Sequence, residues 1–261
     1  ARDTSGEFLK PGPNLRKGVQ IAKTPPTVDF LYYPGQNYHG NPWSVWGEGL
    51  AHDGKYYSAI GDHKGIDGNA FLYEYDAATK KIRLLADVRK VLNRPEGHYT
   101  PGKIHSRIDL GRDGWLYYST HRGSTRITTK ANHFSGGWIL RTHPSTGKNE
   151  VVSHAPLPMQ TLPASVLDSE RMIFYAGTAD GDYKNKRVMF LAYDVAKRRV
   201  IHSDEAGFAR YAVFAKSTGR LYYHDGRSSP NQTNGPRPLV YFDPTKPGQT
   251  QLTKARVGLR A

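Results

Sequence analysis

The 261-residue sequence contains no cysteine, which excludes disulfides, thiolate zinc sites, iron–sulfur clusters and cysteine nucleophiles and leaves the redox compartment open. No run of eighteen apolar residues occurs, so no helix is expected to span a membrane. Signatures of common chemistries are also missing. There is no Gly-x-Ser-x-Gly elbow, no His-Glu-x-x-His, no phosphate loop and no dinucleotide fingerprint. Serine-hydrolase, zincin and nucleotide-binding readings therefore fall away. Acidic residues are few: 23 Asp and Glu stand against 37 Lys and Arg, a net charge of +14. Such a surface favours an anionic partner, namely nucleic acid, acidic lipid or acidic polysaccharide. Its cations are dispersed, the densest cluster being Lys184-Asn185-Lys186-Arg187, whereas a nucleic-acid binder concentrates them on one helix or arm. Nucleic acid is thus disfavoured.

What the chain has in quantity is 17 Tyr, 27 Gly and 17 Pro, a mix suited to short strands and tight turns. One pattern recurs about every fifty residues: strand, Asp-Gly or Thr-Gly turn, aromatic strand, variable loop, strand, short turn, edge strand. Its aromatic strands hold Tyr56-Tyr57, Tyr117-Tyr118, Phe174-Tyr175 and Tyr222-Tyr223. Four strands per repeat predict an all-β fold, a β-propeller of four-stranded antiparallel blades over 46–90, 102–156, 162–207 and 210–256. Arg256-Val257-Gly258-Leu259-Arg260-Ala261 reads as the first strand of a fifth blade. Residues 1–45, with Pro11-Gly12-Pro13, Pro25-Pro26 and Pro34-Gly35, read as an extended arm on the propeller domain of residues 46–261.

In a blade, the loop entering the first strand and the loop leaving the second meet on one face. That geometry gathers Trp46, Glu48, Asp62, His63 and Lys64 from the first repeat, and His105, His121 and Arg122 from the second. The third adds Gln160, Thr161, Asp180, Asp182 and Tyr183; the fourth adds Arg210, Tyr211, His224, Asp225 and Arg227. A basic chain with 11 histidines also scatters them over exposed loops by chance. His105 stands out because it follows Ile104 where an apolar strand residue is the default.

A face rich in His, Arg, Lys and Tyr suits β-elimination from a uronate-containing polysaccharide. A cation neutralises the carboxylate, a His or Tyr takes the adjacent proton, and an acid protonates the leaving oxygen. Glycoside hydrolysis needs two placed carboxylates, which Glu48, Asp62, Asp180, Asp182 and Asp225 could supply. A non-catalytic propeller that binds acidic polysaccharide or a protein is the other class. No cofactor is required, although clustered imidazoles would accept a divalent Zn, Mn or Cu. Asp180-Gly181-Asp182-Tyr183-Lys184-Asn185 is only partly like a calcium loop, lacking its later Gly and Glu. Asn231-Gln232-Thr233 is a glycosylation sequon, meaningful only in a eukaryotic secreted protein.

The strings Gly61-Asp62-His63, Gly102-Lys103-Ile104-His105-Ser106 and Ser119-Thr120-His121-Arg122-Gly123 resemble secreted bacterial β-propellers of the polysaccharide-lyase type, as in the ulvan lyases. The likeness spans residues 46–225 at the level of the repeat. It implies His105 and His121 as the histidine pair, Tyr211 as the tyrosine, and Arg122 or Arg210 on the carboxylate. Substrate contacts would come from Trp46, His63, Lys64, Arg122, Arg210, His224 and Arg227. The start at Ala1-Arg2-Asp3 without Met is consistent with a removed signal peptide, so a secreted or periplasmic location is expected.

Overall fold

The computed structural model describes residues 1–35, 40, 42, 44–64, 66–124, 126–181, 188–224 and 237–257. The N-terminal segment pairs β1 (Arg2–Asp3) with β2 (Val28–Asp29) and then lies on the body. Tyr33 packs on Tyr73 at a ring separation of 4.7 Å, and the Tyr73 hydroxyl donates to the Pro34 carbonyl at 2.7 Å. Ser44 bridges Gly61 and brings the chain to the first sheet.

Among the described residues the remainder is nearly all β and forms four antiparallel sheets in chain order. The first contains β3 (Leu50–His52), β4 (Lys55–Gly61), β5 (Ala70–Asp76) and β6 (Lys81–Asp87). A single-turn helix, α1 (Val88–Leu92), follows, with Asp87 accepting from the Lys90 amide at its start. The second sheet contains β7 (Lys103–Ile104), β8 (Asp109–Leu110), β9 (Leu116–His121), β10 (Trp138–Thr142) and β11 (Asn149–His154). The third contains β12 (Gln160–Asp168), β13 (Ile173–Asp180), β14 (Phe190–Asp194) and β15 (Arg199–Asp204). The fourth contains β16 (Ala212–Ala215), β17 (Arg220–His224), β18 (Arg237–Phe242) and β19 (Gln251–Val257). No helix among the described residues is long and apolar enough to cross a membrane.

Paired aromatics explain how the sheets hold together. Successive strand residues point to opposite faces, so Tyr-Tyr and Phe-Tyr pairs place a ring on each side. Tyr118 joins Tyr57, Leu72 and Trp138 in the core between the first and second sheets. Tyr117 faces the other way, into a core with Leu167, Phe174 and Leu191 between the second and third. Tyr175 then faces Phe190, Tyr223 and Phe242 between the third and fourth. The sheets thus stack in series. Each fully buried ring contributes roughly 1.5–3 kcal/mol of transfer free energy.

Two expectations are corrected. Arg256 and Val257 do not begin a fifth blade: they end β19, opposite Pro238 and Arg237 in the fourth sheet, while residues 258–261 lie outside the described residues. The first strand that the repeating pattern implies for the second repeat, Ile104 to Leu110, is broken into β7 and β8, both paired with β9. Between them the Ser106 hydroxyl accepts the Ser119 amide at 2.8 Å in place of a ladder bond, and the Ile108 amide turns to the Glu48 carbonyl. The break frees His105 from the sheet.

Candidate functional site

The site grows from the end of β9. Antiparallel register sets Lys103 of β7 opposite His121, so the two side chains stand next to each other on one face. His105 follows where β7 ends, and its ring meets that of His121 edge-on at 5.4 Å. Trp46 completes the group. Its indole stacks on His105 at 5.8 Å, with His63 at 5.7 Å, the Lys103 ammonium at 5.0 Å and the Arg210 guanidinium at 6.0 Å. Gly47 makes that approach possible, because a Cβ there would sit 2.6 Å from the Ser106 carbonyl oxygen and 2.9 Å from that of Ile104.

Hydrogen bonds fix the tautomers. His105 Nδ1 lies 2.9 Å from the Pro163 carbonyl oxygen, which only accepts, so Nδ1 carries the proton. His121 Nδ1 lies 2.9 Å from Thr161 Oγ1. That hydroxyl gives its one proton to the Ala179 carbonyl at 3.0 Å and also accepts from Arg122 at 3.2 Å. His121 Nδ1 must therefore be the donor. Both rings keep an Nε2 lone pair.

The surroundings favour neutral imidazoles. Burial pushes His121 well below the usual range, and Arg122, His105, Lys103 and His63 add to the effect. His63 is lowered to about 4 by burial, then by Lys103 and His105. His105 is lowered by burial, partly offset by its bond to Pro163. Lys103 falls to about 8 through burial, then through Arg122 and Arg210. Beside this cluster lies a small, open cleft, with Trp46 and His105 as the shared wall and Ser165, Arg210 and Tyr211 on its other sides. Among the described residues the carboxylate lining it is Glu48, which pairs with Arg107 at 3.4 Å.

The structure brings together Trp46, His63, His105, His121, Arg122, Arg210 and Tyr211. Lys64 is exposed beside His63 and donates its amide to Asp62. Asp62 also accepts from the Asn69 amide, so it braces a turn. Gln160 donates to Asp180 across β12 and β13, which ties up that carboxylate. His224 ends β17 opposite Leu239 and does not line the cleft. Asp182, Tyr183, Asp225 and Arg227 lie outside the described residues. Among the described residues, no group of three His, Asp or Glu side chains is placed to hold a metal ion.

Two members escaped the sequence reading. Lys103 stands two residues before His105, on the same side of an extended chain by alternation, and that spacing could have found it. Ser165 has no local signal. It is 2% exposed, and its hydroxyl is buried without a hydrogen-bond partner at the cleft wall.

No family model matches the chain, and no curated protein matches it either. Solved structures do. The β-propeller domain of the Trilobed protease from Pyrococcus furiosus is 7% identical, with 80% of this chain and 57% of that one aligned at a TM-score of 0.47. For the acylaminoacyl peptidase of Pyrococcus horikoshii the figures are 8% identity, 82% and 33% coverage and a TM-score of 0.49. An oligogalacturonate lyase in complex with manganese gives 10% identity, 80% and 52% coverage and a TM-score of 0.45. The chain spans between a third and somewhat over half of the length of these proteins. At such identities nothing of their chemistry transfers to this chain.

Proposed function

We propose that the four sheets are propeller blades and that the site at Trp46 binds an acidic, uronate-containing polysaccharide and cleaves it by β-elimination. The observation that carries this reading is the convergence of His63, His105, Lys103 and Arg210 around one indole, with His121 against His105 and Arg122 beside them, and with two imidazoles held as neutral bases. In the proposed reaction a cation draws charge from the uronate carboxylate and weakens the adjacent C5–H bond. His105 Nε2 takes that proton. The released electron pair forms the C4–C5 double bond as the C4–O bond breaks, and the leaving oxygen takes a proton from the Tyr211 hydroxyl. His105 suits the role better than His121 because it lines the cleft. Trp46, an exposed indole, offers a stacking face to the bound sugar.

Hydrolysis is less well served. It needs two carboxylates about 5–9.5 Å apart flanking the bond. Glu48 is held by Arg107, and Asp62 and Asp180 are bonded elsewhere.

The test is to offer ulvan, pectate, alginate and glycosaminoglycans and follow the ultraviolet absorbance of an unsaturated uronate product. A rise with one substrate, cut by about 100-fold or more in His105→Ala, is expected for a lyase. Tight binding without any rise would make the chain a polysaccharide-binding module instead.

A further inference from the structure

Lys103 is half-buried and held in a wholly basic setting. The groups that lower its affinity for a proton are Arg122 and Arg210, and its own charge acts on His63, His105 and His121. Among the described residues no carboxylate lies within ion-pair distance of its ammonium. The acids on the packed elements are committed elsewhere: Glu48 and Asp109 to Arg107, Asp62 to the Lys64 and Asn69 amides, Asp180 to Gln160. Arg122 differs, since its guanidinium donates to Thr161 and to the Asp180 carbonyl at 2.7 Å and so ties β9 to the third sheet. Removing an ammonium from water among like charges is costly unless an anion accompanies it. Contact with the Trp46 face offsets only part of that. A cation held this way is set for a charged ligand.

We propose that Lys103 is the residue that makes this site select anionic chains, its ammonium pairing with an oxyanion of the sugar that lies against Trp46. This rests on the reading that the site takes a polysaccharide.

The experiment compares binding of a polyuronate, by calorimetry, to the unmodified chain, Lys103→Arg and Lys103→Met, between about pH 6.5 and about pH 9.5. The unmodified chain should weaken as the pH rises through and above about 8, where the ammonium loses its proton. Lys103→Arg should hold its affinity to the top of the range, because a guanidinium stays charged. Lys103→Met should bind at least about tenfold more weakly at every pH and lose its preference over a neutral glucan. Equal binding by Lys103→Met, or the same pH profile in the unmodified chain and Lys103→Arg, would overturn the assignment while leaving the site intact. If the unmodified chain binds no acidic polysaccharide at any pH, the reading of the site falls and this inference with it.

Discussion

The Thr161 hydroxyl makes three hydrogen bonds and through them sets both the proton position on His121 and the placement of Arg122. It is a positioning residue, buried and behind the cleft lining rather than part of it. Thr161→Val should lower turnover of any cleaved polysaccharide by about tenfold or more, with KM little changed, and Thr161→Ser should restore it. The same change should cost about 1–3 kcal/mol of stability, read by urea denaturation, because partners are left unsatisfied. The histidines make a second prediction. His63 has its folded value lowered from 6.5 to about 4, and His105 and His121 are lowered too. Between those values the unfolded chain binds more protons than the folded one, so stability rises with pH across that window. The melting temperature should therefore fall as the pH drops from about 6.5 towards about 4, and less steeply in His63→Phe. An unchanged slope would show that His63 is not held neutral. Of these residues, His63, His105 and His121 were legible as types in the sequence. Thr161 was gathered with the loops of the third repeat, but its clamp on His121 depends on β12 lying against β9, which no local pattern announces.

At the scale of elements, the broken first strand of the second sheet is what makes a site. An unbroken strand from Ile104 to Leu110 would place His105 in the ladder with β9. Instead β7 and β8 are separated by a stretch in which Ser106 substitutes for backbone pairing and the segment Trp46–Glu48 presses in. Gly47 permits that closeness. Gly47→Ala should destabilise the fold by about 1–3 kcal/mol, since backbone oxygens cannot yield as a flexible side chain would. It should also weaken polysaccharide binding by shifting Trp46 off His105. Full binding and stability in Gly47→Ala would mean that the segment has room to spare. The strand positions themselves follow from Asp-Gly and Thr-Gly turns and from the aromatic pairs. The break does not, because it depends on a segment more than fifty residues earlier in the chain meeting this one.

The whole molecule is a series of sheets in which alternating large side chains glue each sheet to the next. The arm covers part of the first sheet through Tyr33. With a net charge of +14, the chain should draw a polyanion from beyond contact distance. Raising ionic strength from about 0.01 M to about 0.1 M shortens the screening length from about 30 Å to about 10 Å. The association rate with an acidic chain should then drop about tenfold or more in stopped-flow measurements, while dissociation changes less. A salt-insensitive rate would argue that capture is governed by Trp46 stacking alone.

Composition and the repeating aromatic pattern determined the all-β character, the turn positions and the net positive charge, because strand alternation and turn chemistry are local properties. What only the tertiary structure decided is which groups meet. Register across β7 and β9 puts Lys103 against His121, the packing of β12 on β9 brings Thr161 and Ser165 to the site, and Gly47 lets Trp46 reach His105. These meetings depend on sheet-to-sheet distances of a few ångströms, and such distances are set by packing of residues far apart in the chain.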